Sequence, residues 1–248
     1  MRLAVVIPVY NELELLPRAI ERLDATPPPT SPDGSALERS LIVIDDGSTD
    51  GTTELVERLA ARDDVTAVMH APNHGKGHAL RLGLRRARED GFDLAIVQDA
   101  DLEYDPADHA RVLMPILDAR ADAVIGTRFA GEVHRVLYYW HSVANRGITT
   151  LSNMLSNLNL TDIECGTKAF GRTVLERLEL REKRFGVEPE IIARLAKMRL
   201  PEGDGSRHCR IYEVPVSYAG RTYAEGKKIG WRDGVEAVRV ILQRNLFG

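Results

Sequence analysis

Residues 94–103 read Leu-Ala-Ile-Val-Gln-Asp-Ala-Asp-Leu-Glu, a short apolar stretch that predicts a buried strand and delivers two carboxylates at its end. In an extended chain, residues two apart point to the same side, so the side chains of Asp99 and Asp101 can converge on one point. Hard oxygen ligands at a strand end suit Mg²⁺ or Mn²⁺, which keep open positions for water and phosphate oxygens. For an isolated Asp-x-Asp, a solvated acidic turn that caps the next helix is the alternative.

The same arrangement of an apolar stretch and an amphipathic, helix-like segment recurs through the first half of the chain. Continuous apolar runs are typical of strands covered on both faces, and strands alternating with helices imply a mainly parallel sheet. We therefore predict an α/β fold with a Rossmann-like central sheet, helices on both faces and a single domain. The predicted strands of this half are Leu3–Val9, Leu41–Ile44, Val65–Met69, Leu94–Gln98 and Ala123–Gly126.

Polar motifs follow the predicted strands. In open parallel sheets, ligands bind at the carboxyl ends of the strands, so this repeated placement is a physical argument for one binding site. Asn11 is also predicted to cap the first helix. The motifs are Tyr10-Asn11-Glu12, Asp45-Asp46, Gly75-Lys76-Gly77 and the Asp99/Asp101 pair, with Thr127-Arg128 after the fifth strand.

The second half is less regular. One helix is expected to carry Leu151, Met154, Leu155 and Leu158 on a shared face, and a late strand is predicted over Ile211–Val216. Shorter helices are predicted over Val174–Leu178 and Ile191–Met198. The last helix, from Trp231 to Phe247, has a predicted apolar side made of Val235, Val238, Ile241, Leu242 and Leu246.

Composition excludes several classes of protein. The 248 residues are 44% hydrophobic and 28% charged, with a net charge of −4, whereas a nucleic-acid-binding surface would be strongly basic. No stretch has the roughly 20 apolar residues of a spanning helix, and the first residues do not read as a signal peptide. The two cysteines, Cys165 and Cys209, match no metal spacing and are expected to be reduced thiols of a cytoplasmic protein.

Taken together, these motifs resemble a family 2 glycosyltransferase of the GT-A fold. Within that family, the chain is similar to the dolichyl- or polyprenyl-phosphate sugar synthases of the dolichol-phosphate mannose synthase type. The resemblance covers nearly the whole chain, apart from an insertion at residues 26–40 and the neighbourhood of residues 206–209. The motifs that carry it, in order, are Val6–Glu12, Ile44–Gly51, Gly75–Gly77, Gln98–Asp101, Gly126–Arg128, Glu213–Tyr218 and Arg221–Lys228.

The resemblance implies inverting transfer of a hexose from a nucleotide sugar, of the GDP-mannose or UDP-glucose type, to a polyprenyl or dolichyl phosphate. Residues 1–128 would form the nucleotide-binding half, and residues 129–248 the acceptor and lid half with an amphipathic C-terminal helix. A protein of this kind would work at the cytoplasmic face of a membrane, through peripheral contact or an anchoring partner. The alternatives are a related transferase acting on a soluble or polysaccharide hydroxyl, and a nucleotide-sugar-binding subunit without catalysis.

The resemblance also implies a set of site residues. Mg²⁺ or Mn²⁺ would be held by Asp99 and Asp101, with Glu103 either a third ligand or a solvated carboxylate at a helix start. Catalysis would involve Asp99, Asp101, Arg128 and Asp162. The nucleotide sugar would contact Pro8, Tyr10, Glu12, Ile44, Asp46, Lys76, Asp99, Ala100, Asp101, Arg128, Arg221, Lys227 and Lys228.

Simpler structural roles remain open for several of these residues. Pro8 can end a strand and Asp46 can cap a turn. Arg128 can form an ordinary ion pair, and residues 221–228 can form a solvated basic turn instead of a mobile lid over the donor. A general base is needed only if the acceptor is an alcohol, because a phosphate is already anionic. Asp162 is the candidate for that base, and its alternative role is a helix cap or a partner for an arginine.

Overall fold

In the computed structural model, residues 1–129, 138–221 and 231–247 are described, with the backbone alone for residues 231 and 232. Strands and helices alternate along most of the chain, and a single 3₁₀ turn, Pro106–Asp108, precedes α4. The elements of these residues are β1 (Arg2–Val9), α1 (Leu16–Ala25), β2 (Glu38–Asp46), α2 (Thr52–Leu59), β3 (Val65–His70), α3 (Lys76–Glu89), β4 (Leu94–Val97), α4 (His109–Leu117), β5 (Ala123–Thr127), α5 (Tyr139–Ser156), β6 (Lys168–Gly171), α6 (Arg172–Leu175), α7 (Val187–Lys197), β7 (Arg199–Glu202), β8 (Gly205–His208), β9 (Ile211–Pro215) and α8 (Trp231–Leu246).

The central sheet has seven strands in the order β3-β2-β1-β4-β6-β5-β9. All neighbouring strands pair in parallel except β6, which runs antiparallel between β4 and β5. The prediction of a mainly parallel sheet is therefore confirmed, including all six predicted strands. The antiparallel β6 and the separate β7–β8 hairpin were not predicted.

Helices cover both faces of this sheet, as predicted. Val6 of β1 joins a core cluster with α3 and α7, whereas its neighbours Val5 and Ile7 join a second cluster with α1, α2 and α4. This alternation follows from the two-residue side-chain period of a strand. Since both faces are buried, β1 and β2 read as unbroken apolar runs.

The prediction that Asn11 caps the first helix is wrong. Helix α1 begins later, at Leu16, and its N-cap position has no side-chain hydrogen bond. Asn11 instead adopts a left-handed backbone, and its side chain accepts a hydrogen bond from the Thr49 amide, 2.8 Å away. Asparagine tolerates this conformation and bonds readily to loop backbone, so it joins the loops after β1 and β2.

The predicted apolar faces of α5 and α8 are only partly buried. Met154 of α5 is 76% exposed, although Leu151, Leu155 and Leu158 pack against the core. In α8 the residues buried against the domain are Ala237, Val240 and Ile241, while Val235, Leu242 and Leu246 remain exposed. α5 and α8 pack on each other. No helix in the described part of the chain is long and apolar enough to cross a membrane.

Candidate active site

A cavity of about 400 Å³ lies at the carboxyl ends of β1, β2, β4 and β5. Residues from both predicted halves line it, because Glu164, Glu188 and Tyr218 face the motifs of the first half. The cavity brings together most of the predicted site residues: Pro8, Tyr10, Glu12, Asp46, Lys76, Asp99, Ala100, Asp101, Glu103, Arg128 and Arg221. Lys227 and Lys228 lie outside the residues that the structure describes.

The acidic pair after β4 is the electrostatic centre of the cavity. Lys76 Nζ lies 2.8 Å from Asp99 Oδ2, and Arg221 lies 3.0 Å from Asp101 Oδ2. Burial, together with the negative charges of Asp99 and Glu103, raises the pKa of Asp101 to about 7. Neighbouring carboxylates raise one another's affinity for a proton. A site that contains several of them therefore favours a bound cation.

Glu103 is drawn into the same network. Its Oε1 accepts hydrogen bonds from the Arg221 amide, at 3.0 Å, and from Arg221 Nε, at 3.1 Å. Its Oε2 accepts a hydrogen bond from the Tyr218 hydroxyl, 2.8 Å away. Glu103 is therefore not a solvated carboxylate, and Arg221 bridges it to Asp101.

A chain of buried charges lies behind the acidic pair. Lys76, which starts α3, also lies 3.1 Å from Glu188 Oε1 on α7, and the other oxygen of Glu188 pairs with Lys168 of β6. Lys168 is fully buried and also donates to the Cys165 carbonyl. Burial lowers the pKa of Lys76, but Asp99 and Glu188 outweigh that effect and raise it, so the lysine stays charged. Glu188 and Lys168 were not predicted as site residues.

Arg128, which follows β5, forms a bidentate ion pair with Asp162. Arg128 Nε lies 2.6 Å from Asp162 Oδ2, and its NH2 atom donates to Oδ1 at 2.8 Å. Asn145 of α5 donates to the same Oδ1, and Asp162 is fully buried. Burial raises the pKa of Asp162, but Arg128 and the other donors outweigh it, so the net pKa is lowered.

Of the two roles left open for Asp162, the geometry thus shows the arginine partner. The carboxylate does not line the cavity, and both of its oxygens are engaged, so nothing in its surroundings favours a general base. A different carboxylate is better placed. Glu164 lines the cavity, one of its oxygens has no hydrogen-bond partner, and burial together with Glu188 raises its pKa to about 7.

Asp46 and Ile44 were both predicted to contact the nucleotide sugar, but only Asp46 lines the cavity. Asp46 lines the cavity and also accepts hydrogen bonds from the backbone amides of His74 and Gly75, so it both shapes the site and caps a turn. Ile44 is fully buried and belongs to the apolar core between the sheet and α3, away from the cavity lining. Its position in the middle of the buried β2 explains why only the strand end reaches the site.

The geometry agrees with the comparisons to known proteins. A family model described as glycosyl transferase family 2 matches residues 4–179 of the chain. An undecaprenyl-phosphate mannosyltransferase from Micrococcus luteus is 31% identical, over 97% of this chain and 93% of its own length. The chain belongs to glycosyltransferase family 2.

Other relatives of this glycosyltransferase extend the comparison. A polyprenol monophosphomannose synthase from Mycolicibacterium smegmatis is 34% identical over 72% of this chain and 65% of its own length. Among solved structures, glucosyl-3-phosphoglycerate synthase from Mycobacterium tuberculosis, with Mn²⁺, UDP and phosphoglyceric acid, superposes with a TM-score of 0.65 at 20% identity, covering 100% of this chain and 79% of its own. A mannosyltransferase from Pyrobaculum calidifontis, with GDP-Man and Mn²⁺, has a TM-score of 0.61 at 22% identity. The superposition covers 98% of this chain and 62% of the mannosyltransferase chain. These neighbours confirm the predicted fold.

The glycosyltransferase also carries a histidine cluster that sequence analysis missed. His70 at the end of β3, His74 in the following loop and His78 in α3 have ring centroids 4.2–4.9 Å apart. The regular spacing of three histidines, four residues apart, was the available signal. Burial, with contributions from His70 and Arg81, lowers the pKa of His78.

Proposed function

We propose that this glycosyltransferase moves a hexose from a nucleotide sugar to a polyprenyl phosphate with the help of a divalent cation. The observation that carries the proposal is the convergence of Asp99 and Asp101 in one cavity that also holds basic side chains and an aromatic ring. The named activities of the Micrococcus and Mycolicibacterium relatives support a mannosyl donor and a lipid phosphate acceptor.

A divalent ion fits the acidic pair chemically. The cavity presents Asp99, Asp101 and Glu103, and burial, together with the charges of the two neighbouring carboxylates, raises the pKa of Asp101 there. When bound, Mg²⁺ or Mn²⁺ would supply Lewis-acid stabilisation of the departing diphosphate. Carboxylate oxygens such as those of Asp99 and Asp101 suit these hard ions.

The basic side chains would exchange partners when the donor binds. Lys76 and Arg221 now neutralise Asp99 and Asp101, and both line the cavity. A cation on the carboxylates would release these two residues toward the phosphates of the donor, where fixed positive charge stabilises the transition state. Arg221 is the first residue of the predicted lid, residues 221–228, and the rest of that lid lies outside the residues that the structure describes.

In the same cavity, Tyr10 and Asp46 would contact the nucleotide base. Tyr10 is 38% exposed, and its ring can cover a base while a carboxylate accepts the N–H groups of that base. Arg128, fixed by Asp162, would face the acceptor phosphate. The planar guanidinium group presents its N–H donors in a geometry that matches the oxygens of a phosphate. A phosphate nucleophile needs no general base.

The acceptor would reach the cavity from a membrane surface beside α5. Tyr138, Tyr139 and Trp140 are 57%, 72% and 75% exposed at the start of this helix. Asn145, five residues after Trp140 and therefore about 7.5 Å along the helix axis, donates to Asp162, which holds Arg128, so the aromatic turn would lie near the proposed acceptor phosphate. Exposed aromatic side chains of this kind prefer the headgroup region, which supports peripheral contact at the cytoplasmic face.

The function is tested by a donor and acceptor screen. Purified protein with Mn²⁺ would be incubated with labelled GDP-mannose, UDP-glucose or a UDP-N-acetylhexosamine and a polyprenyl phosphate, followed by extraction into organic solvent. We expect lipid-extractable label with one donor, and none with the dephosphorylated polyprenol. The absence of extractable label with every donor would contradict the proposal.

A second candidate acceptor is a hydroxyl group, because Glu164 lines the cavity with one oxygen unpartnered. Its pKa of about 7 suits a general base at neutral pH. Transfer to a soluble alcohol that falls with Glu164→Gln, while nucleotide binding is retained, would favour this candidate. Transfer to polyprenyl phosphate that survives the same substitution would favour the first.

Metal binding should depend on pH through Asp101. Its pKa of about 7 in the folded protein lies above the usual carboxyl value, so a bound cation must displace a proton below that pH. The affinity for Mn²⁺ should therefore fall about tenfold per pH unit below about 7 and level off above it. Titration calorimetry from pH 6 to 8 measures this slope. An affinity that does not change over that range would contradict the assignment of Asp101.

The position of Asp99 should depend on Gly166, against which its carboxylate packs. A β-carbon at Gly166 would clash with Asp99 Oδ2 and lie 3.1 Å from Tyr104 Cε2. We expect Gly166→Ala to weaken Mn²⁺ binding about tenfold or more by displacing the carboxylate. The matched control is Gly147→Ala in α5, where a β-carbon meets no atom within 4 Å. Equal Mn²⁺ affinity of the two variants would contradict the prediction.

A further inference from the structure

The histidine cluster lies next to the nucleotide end of the cavity and has the features of a second metal site. One nitrogen from each of His70, His74 and His78 lies within 4.8 Å of the other two. His78 is buried, and His70 and His74 are half-buried, so the cluster has one protected side and one side open to solvent.

Each histidine of this cluster has one buried ring nitrogen without a hydrogen bond. His70 Nδ1, His74 Nδ1 and His78 Nε2 are each buried without a hydrogen bond, as is Asp46 Oδ1. Asp46 is 2% exposed, and its Oδ1 lies 3.5 Å from His70 Nδ1. Buried polar atoms normally find a partner, so His74 Nδ1 and His78 Nε2 without one, beside the His70–Asp46 contact, indicate a missing ligand.

We propose that His70, His74 and His78 bind a transition-metal ion, with the free oxygen of Asp46 available as a fourth ligand. Imidazole nitrogens favour Zn²⁺, Co²⁺ or Ni²⁺ over Mg²⁺, and three histidines with one carboxylate complete a tetrahedral set. This ion is distinct from the hard cation proposed at Asp99 and Asp101, since the ligand types differ.

Binding requires a small rearrangement. Tetrahedral zinc–nitrogen bonds of about 2.0–2.1 Å place the ligand nitrogens about 3.4 Å apart, so the rings must close by rotation. His78 Nδ1 also lies 2.7 Å from Arg81 NH2, which donates to it. That contact is lost whichever nitrogen of His78 binds the metal, because a metal-bound Nδ1 has no lone pair to accept with and a metal-bound Nε2 moves the ring proton to Nδ1. Arg81 therefore competes with the metal.

The site has a structural connection to the donor cavity. Asp46 Oδ2 holds the backbone amides of His74 and Gly75, and Asn73, Gly75 and Lys76 line the cavity. An ion on the three histidines would fix this segment, which joins β3 to α3. Metal at this site would thus order the wall against which the nucleotide packs.

Cobalt titration of the purified, metal-free protein tests the site. Co²⁺ in a tetrahedral nitrogen and oxygen environment has a visible absorption band, and Zn²⁺ should abolish that band by competition. We expect the tetrahedral band to saturate at one equivalent of Co²⁺, any ion at Asp99 and Asp101 being outside that band, and Zn²⁺ to raise the melting temperature. His74→Gln should weaken Zn²⁺ binding about 100-fold or more, since even outer-shell changes cost roughly 10–100-fold. His208→Ala, an exposed histidine of β8, is the matched control.

A second variant acts in the opposite direction. Arg81→Ala removes the competing guanidinium and should tighten Zn²⁺ binding several-fold without a loss of folding, which a purely structural stack of rings would not show. A cobalt complex without the tetrahedral band would overturn the proposal. So would a Zn²⁺ affinity unchanged by both His74→Gln and Arg81→Ala.

Discussion

Replacing Asp99 or Asp101 with asparagine should lower the rate of sugar transfer about 10³-fold or more. Asparagine keeps the size of the side chain but removes the charge that would hold a divalent cation against the diphosphate. Metal stabilisation of a leaving group contributes several kcal/mol, and each 1.36 kcal/mol corresponds to about a factor of ten in rate. The measurement is the rate of transfer from the nucleotide sugar at saturating Mn²⁺, beside Asp118→Asn as a control on a surface ion pair with Arg120.

Folding should not explain this loss in the Asp101 variant. The raised pKa of Asp101 means that the folded protein disfavours its ionised form, so a neutral side chain should leave stability above pH 7 unchanged or improved. An inactive variant whose melting temperature equals or exceeds that of the unmodified enzyme would support this prediction. Full activity in a folded Asp99→Asn, Asp101→Asn double variant would contradict it.

Replacing Lys168 with methionine should lower the free energy of unfolding by about 3–5 kcal/mol, because it removes one of the two cations, Lys168 and Lys76, that neutralise the buried Glu188 carboxylate. Lys168 is fully buried, and Glu188 is 3% exposed. Denaturation by urea at neutral pH measures the loss. Arg172→Met is the control: its pair with Glu176 is about half exposed, and such surface pairs contribute about 0–1 kcal/mol.

The double variant separates lost charge from lost packing. If the loss of charge compensation at Glu188 is the cause, Lys168→Met combined with Glu188→Gln should recover part of the stability, because the buried carboxylate is then neutral and Lys76 keeps its pair with Asp99. A loss below about 1 kcal/mol for Lys168→Met alone would show that this buried pair does not hold β6 to α7.

The regular part of the fold was accessible from the sequence, because the central residues of β1, β2 and β4 are buried on both faces and are therefore apolar. Strand β6 was not, since Lys168 opens it and a charged residue argues against a buried strand. That lysine is neutralised by Glu188, twenty residues later, and no local pattern reports such a pairing. The outward face of α8 was also missed, because neighbouring apolar positions on a helix allow more than one buried side.

The site residues divide in the same way, into those that the local sequence predicts and those that depend on tertiary packing. Tyr10, Asp46 and Asp99 were predictable because each follows a strand of the sheet, where ligands bind. Glu164 and Glu188 reach the cavity from elements whose positions depend on tertiary packing. The two roles left open for Asp162 could be separated only by the side-chain geometry of Arg128.

The most direct test is anomalous diffraction at the manganese edge, from crystals grown with Mn²⁺ and a nucleoside diphosphate sugar. We expect an anomalous peak bonded to oxygens of Asp99 and Asp101, adjoining the diphosphate of the donor. A nucleotide bound in the cavity with no peak at these two carboxylates, or with manganese at the histidine cluster alone, would contradict the proposed metal site.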